Sequence, residues 1–148
     1  MTEPSIPKIM LVEDDPQFAY LIERYARSRG CQIHRVHSFS EAVPIAQNEL
    51  PDLILLDLAL NGAAGWQVLQ ALKANPITRK LDVFICVANE AAAHGWEDYA
   101  DGCLVKPVMF EDFVTAVASI PHRSPDGRDN QVQGQTALAR QEVNKTSN

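Results

Sequence analysis

Three carboxylates and one lysine are placed in this sequence where they could do chemistry together. Asp57 ends the apolar run Leu53-Ile54-Leu55-Leu56. Glu13 and Asp14 follow a similar run, Ile9-Met10-Leu11-Val12, and Asp15 extends the acidic triplet. Lys106-Pro107 closes a third run, Cys103-Leu104-Val105. Carboxylates brought close together repel and call for a cation. Hard oxygen donors with room left for water suit Mg²⁺, which commonly takes one or two carboxylates plus phosphate oxygens. The plainer alternative is a structural ion pair between Asp57 and Lys106, with the triplet merely solvated. A carboxylate buried next to two others is costly, which weighs against that alternative unless a cation is present.

These residues meet only if the chain folds in one particular way. Each run is short, rich in branched side chains and bounded by turn or helix signals, as expected of a strand buried on both faces of a parallel sheet. In such a sheet all strands point the same way, so residues at their carboxyl ends collect along one edge, where open α/β sheets bind ligands. Asp14 and Lys106 would then share a crevice although 92 positions (106 − 14) separate them.

The remaining pattern supplies the other elements. Strands are expected at 8–12, 32–36, 52–57, 83–87 and 102–105. Asp15 and Pro16 read as the N-cap and first residue of a helix that Gly30 ends. Ser38 and Glu41 have capping-box spacing for a second helix, and Pro44 inside it should loosen or bend it. Residues 61–65 read as a loop, and Trp66, Leu69 and Leu72 begin the apolar face of a third helix. A short fourth helix at 91–99 is weakened by Gly95, and a fifth spans 110–119. Five strands alternating with five helices make an α/β fold with right-handed crossovers.

Taken together, Glu13, Asp14, Asp57 and Lys106-Pro107 at successive strand ends resemble the receiver domain of two-component response regulators, in its stand-alone CheY-like form. The resemblance covers about residues 8–120 and rests on element order. It implies a flavodoxin-like, doubly wound (βα)5 sheet of order 2-1-3-4-5, and a cis Lys106-Pro107 bond, a geometry open to X-Pro bonds. It implies that Asp57 is the phosphoacceptor, attacking a phosphoryl group from a phosphohistidine or a small phosphodonor to give an aspartyl phosphate. Lys106 is the implied charge partner on the phosphoryl oxygens. The implied Mg²⁺ ligands are Glu13, Asp14, Asp57 and the backbone carbonyl of Ala59. The partners implied are a sensor histidine kinase or phosphotransfer protein and a downstream protein target. Such a protein catalyses its own phosphorylation and is not a turnover enzyme.

The sequence also departs from that family. The fourth strand usually ends in Thr or Ser, whose hydroxyl bonds the phosphoryl group; Val87 stands there. One charge-assisted hydrogen bond, ~1.5–3 kcal/mol, is thereby absent. The fifth strand usually carries an aromatic that moves with that hydroxyl; Cys103 stands there. Val87 and Lys106 are 19 positions apart (106 − 87), about one turn fewer than usual, so the fourth helix is expected to be truncated. These switch positions predict altered output with phosphoryl uptake kept. Asn89, just past the strand, is a candidate partial substitute for the hydroxyl. The competing expectation is a phosphorylation-independent pseudo-receiver, an interaction module. A phosphatase of the haloacid-dehalogenase type would want a second Asp where Ala59 stands, and a flavin-binding flavodoxin is disfavoured because the acidic crevice of this chain would repel a phosphate in the absence of metal.

Charge and composition narrow the field further. The 148 residues carry a net charge of −6. Residues 1–120 hold 9 Lys and Arg against 16 Asp and Glu, and residues 121–148 hold 4 against 3. An acidic domain is a poor duplex binder, so no direct DNA binding is expected, and the Arg24, Arg27, Arg29 and Arg35 cluster reads as a solvated face. No membrane span or basic leader is visible, and cytoplasm is the expected location. Cys31, Cys86 and Cys103 follow no ligand spacing. His34, His37, His94 and His122 read as surface residues, and Trp66, Trp96 and Tyr99 as packing. Residues 1–7 are a lead into the domain, and residues 121–148 form a polar tail, flexible or docked.

Overall fold

The structure, a computed structural model, describes residues 6–58 and 63–120. The strands are β1 (Lys8–Val12), β2 (Gln32–Val36), β3 (Leu53–Asp57), β4 (Val83–Val87) and β5 (Gly102–Val105). They form one parallel sheet in the order β2-β1-β3-β4-β5. The helices are α1 (Pro16–Ser28), α2 (Phe39–Glu49), α3 (Ala63–Ala74) and α4 (Phe110–Ala118). The sheet order and the strand positions are those expected; β3 starts one residue later, at Leu53, with Asp52 before it donating its amide to Lys8 O at 2.8 Å and accepting from the Lys8 amide through Oδ2 at 2.7 Å.

Both sheet faces are covered, which is why the strands read as unbroken apolar runs. On one face Ile9, Leu11, Leu53, Leu55, Phe84 and Cys86 pack with Ala19 and Ile22 of α1 and Phe113 and Ala116 of α4. On the other, Met10, Val12, Ile54, Leu56, Ile85 and Val87 pack with Ala42 and Ala46 of α2 and Leu69 and Leu72 of α3. Burying a Leu or Ile side chain of this kind contributes roughly 1.5–3 kcal/mol. β3 and β4 are therefore anchored along their whole length, and β1 from Ile9 onward.

Three elements differ from the sequence-based expectation. The expected helix at 91–99 is two 3-10 turns, Glu90–Ala93 and Trp96–Asp98. Gly95 separates them at φ +80°, a conformation that interrupts a right-handed helix and that glycine adopts without strain. The capping box at Ser38 and Glu41 is not made: the Ser38 hydroxyl bonds Ser40 Oγ at 2.8 Å instead. Helix α2 contains Pro44 within its span, with Ala42 and Ala46 buried on either side of it. Helix α3 starts at Ala63, so Ala63-Ala64-Gly65 is helical rather than loop. The start of α1 is as read: Asp15 Oδ1 accepts from the Gln17 amide at 3.0 Å, Pro16 follows, and Gly30 lies past the helix end at φ +68°.

Among the described residues no helix is long and apolar enough to cross a membrane. The tail at 121–148, with His122, lies outside the described residues, as do Ala59 and residues 60–62.

Candidate functional site

Each site residue is fixed by one backbone hydrogen bond beyond the end of its strand. The Glu13 amide donates to Val36 O at 3.1 Å, carrying β1 one residue further. The Leu58 amide donates to Cys86 O at 2.9 Å, which holds the peptide just after Asp57. The Lys106 amide donates to Val87 O at 2.8 Å, and the Lys106-Pro107 bond that follows is cis. Three strand ends are thus pinned to their neighbours where the side chains leave the sheet. Gly65 completes the packing beside β3: a Cβ there would lie 2.6 Å from the Leu58 side chain and 3.4 Å from Asp57 O. Only a residue with no side chain lets α3 approach the strand end so closely.

Three of the four expected side chains, those of Glu13, Asp57 and Lys106, converge. Lys106 Nζ lies 2.6 Å from Asp57 Oδ2 and 4.0 Å from Glu13 Oε2. Asp57 and Glu13 are both fully buried, and the Lys106 side chain is 22% exposed. Asp14, the next residue after Glu13, is exposed. Asp15 caps α1, and its own amide donates to Glu13 Oε1 at 2.8 Å. That bond leaves Glu13 Oε2 facing inward with no hydrogen-bond donor among the described residues.

The electrostatics follow from this burial. Removal from water, together with the carboxylate of Asp57, pushes the Glu13 carboxyl up to about 8. The Asp15 amide and the Lys106 ammonium oppose that rise without cancelling it. The fold therefore resists ionisation of Glu13, and its buried Oε2 has no hydrogen-bond donor among the described residues. An orphaned, buried carboxylate oxygen beside a second carboxylate suits a hard divalent cation. Among the described residues no three His, Cys, Asp or Glu side chains form a ready metal cage. Mg²⁺ does not need one, because it keeps several waters and takes only one or two carboxylates.

The two departures from the family pattern lie beneath this edge, in the apolar core. Val87 is fully buried and Cys103 is 5% exposed, in one cluster with Trp96 and Ala100. Cys86 pairs in register with Asp57 across β3 and β4, and burial followed by the Asp57 charge pushes its thiol well up. The Asn89 side chain accepts from the Ala92 amide at 2.9 Å, so its oxygen caps the first 3-10 turn. His34 pairs with Glu49 at 2.8 Å, and Tyr99 stacks edge-on against Trp66.

Three contacts were not anticipated. The Phe18 ring centroid lies 4.2 Å from Lys106 Nζ. Tyr25 OH donates to Val108 O at 3.0 Å, tying α1 to the turn after Lys106-Pro107. At the opposite edge Asp101 accepts from Lys73 Nζ and from the Val83 amide, each at 2.8 Å. The only sequence signal for the first two was the helical spacing of Phe18 and Tyr25.

Comparison with known proteins agrees with this architecture. The family described as response regulator receiver domain matches residues 9–118. The phosphate regulon transcriptional regulatory protein PhoB of Rhizobium meliloti is 27% identical over 80% of this chain and 54% of its own length. The DNA-binding response regulator MtrA of Mycolicibacterium smegmatis is 30% identical over 80% of this chain and 52% of its own. The chain thus spans about half the length of the curated relatives it matches. Among solved structures, a putative response regulator from Chloroflexus aurantiacus aligns at a TM-score of 0.71 with 26% identity, covering 78% of this chain and 98% of that one. The receiver domain of a sensor histidine kinase from Pseudomonas aeruginosa, solved with magnesium coordinated in its active site cleft, aligns at 0.68 with 25% identity over 78% of this chain and 98% of its own. Strand order, site geometry and these matches together establish that the chain belongs to the receiver domain family of two-component response regulators.

Proposed function

We propose that this chain accepts a phosphoryl group on Asp57, in Mg²⁺-dependent phosphorelay signalling, as a response regulator working through a single receiver domain. The observation that carries the reading is the buried cluster of Asp57, Lys106 and Glu13 at the carboxyl edge of the sheet. A carboxylate oxygen of Asp57 attacks phosphorus, the bond from phosphorus to the donor nitrogen or oxygen breaks, and an acyl phosphate results. Lys106, now at 2.6 Å from Oδ2, stays with the charge as it moves onto the phosphoryl oxygens. Glu13, Asp14 and Asp57 are the side chains that would hold Mg²⁺, with the Ala59 carbonyl, which lies outside the described residues, as a fourth donor. When bound, Mg²⁺ would supply charge neutralisation at the phosphoryl oxygens.

The donor in this reading is a sensor histidine kinase or phosphotransfer protein, and the output is contact with a protein target. The chain acts without turnover and in the cytoplasm. The sequence relatives are transcriptional regulators, but the net charge of −6 disfavours direct duplex binding by this chain.

One observation favours a second reading. Val87 and Cys103 are packed into the apolar core and present no hydroxyl or aromatic to the site. A pseudo-receiver that binds its target without phosphorylation would need neither. Intact mass after incubation with Mg²⁺ and acetyl phosphate separates the two. The phosphoryl-accepting reading requires a Mg²⁺-dependent phosphoryl adduct on the wild type and none on Asp57→Asn. Absence of both the adduct and Mg²⁺ binding would establish the pseudo-receiver in its place.

A further inference from the structure

Lys106 carries a flexible four-carbon stem, and its backbone alone does not determine where the ammonium sits. The side chain is 22% exposed, so a water-facing arrangement is open to it. Yet Nζ lies 2.6 Å from Asp57 Oδ2 and 4.0 Å from Glu13 Oε2. The ring of Phe18 stands over the same ammonium, its centroid 4.2 Å from Nζ.

Phe18 is itself well fixed. It lies in the first turn of α1, whose start is set by the Asp15 cap and Pro16. It is 8% exposed and belongs to the core layer that includes Ile22 and Phe113. An aromatic face attracts a cation within about 6 Å of its centroid, more strongly where water is excluded. An aliphatic side chain of similar bulk would fill the space without that attraction. Because Val87 offers no donor, the aim of Lys106 matters more to this site than it would beside a hydroxyl.

We propose that Phe18 is a positioning residue whose ring face holds the Lys106 ammonium against Asp57. The effect on phosphoryl uptake rests on the receiver reading above; the effect on the ion pair does not. Phe18→Leu frees the ammonium to exchange with solvent, whereas Phe18→Tyr keeps the ring face.

The test is a double-mutant cycle in urea unfolding with wild type, Phe18→Leu, Lys106→Met and the double variant, beside uptake rates from acetyl phosphate. Replacing Phe18 by Leu should lower the folding equilibrium constant about three- to tenfold more in the wild-type background than in Lys106→Met, the range of a cation–π contact of this kind. Uptake by Phe18→Leu should slow by a similar factor, and Phe18→Tyr should restore most of it. Additive effects in the cycle would overturn the assignment by showing that Phe18 only packs. Equal uptake rates for wild type and Phe18→Leu would overturn it too. A wild type that acquires no phosphoryl group overturns the uptake chemistry instead, and the cycle then judges Phe18 by itself.

Discussion

Lys106→Met is the substitution whose cost follows most directly from the geometry. Methionine keeps much of the apolar stem and removes the charge. In the wild type Nζ lies 2.6 Å from Asp57 Oδ2, and that carboxylate is fully buried. Glu13 contributes less of the attraction, because its Oε2 lies farther away, at 4.0 Å, and burial pushes its carboxyl up toward the neutral form. At an effective dielectric of 20 the Asp57–Lys106 attraction is about 6 kcal/mol before any desolvation is counted. Part of that offsets the cost of removing the partly exposed ammonium from water. Breaking a buried pair by deleting one partner costs about 3–5 kcal/mol, and the 22% exposure of Lys106 places this case near 3. The assay is urea unfolding of metal-free protein at pH 7.5. The expected result is a loss of about 3 kcal/mol. A variant within about 0.5 kcal/mol of wild type would refute the reasoning, because that is the effect of an ordinary surface change.

Two further outcomes are expected. Glu13 titrates at about 8 in the fold against an ordinary 4.5, so the folded protein keeps a proton that the unfolded chain releases in between. Without metal, stability should therefore fall as pH rises from about 5 to 8, by a few kcal/mol at most, and Glu13→Gln should flatten that slope in urea midpoints measured across the range. Val87→Thr places a hydroxyl at a fully buried position beside Trp96 and Cys103. It should cost roughly 1–2 kcal/mol in thermal unfolding, yet quicken phosphoryl uptake severalfold by supplying the missing donor.

Much of this architecture was legible because the sheet is buried on both faces. A strand covered on both sides shows as an unbroken apolar run, and each run stops where the chain leaves the sheet. The polar residue after the run is then a residue of the functional edge, which is how Glu13, Asp57 and Lys106 could be brought together on paper. Asp15-Pro16 was legible because a cap and a first-turn proline are local. Ser38 and Glu41 had the right spacing for a cap, but the serine hydroxyl found Ser40 instead, a competition between neighbours that spacing does not decide. The length of the segment between Val87 and Lys106 signalled a truncated fourth helix; that it would become two 3-10 turns depended on the backbone at Gly95. The contacts least legible were those between distant segments. Phe18 meets Lys106 across 88 positions (106 − 18), and Tyr25 meets Val108 across 83. Nothing in the helical spacing of Phe18 and Tyr25 distinguishes an aromatic that packs from one that faces a cation. The pairing of Lys73 with Asp101 likewise needed the register of β4 and β5.

The central claim is that Asp57 itself carries the phosphoryl group, and chemical trapping tests it most directly. Borohydride reduces an acyl phosphate to an alcohol, which converts the aspartyl residue to homoserine and marks its position for peptide mapping. After treatment with acetyl phosphate and Mg²⁺, homoserine should be found at residue 57, and none should form when Mg²⁺ is withheld. Homoserine at Glu13, Asp14 or another carboxylate, or an intact Asp57 in protein that has gained a phosphoryl mass, would contradict the account.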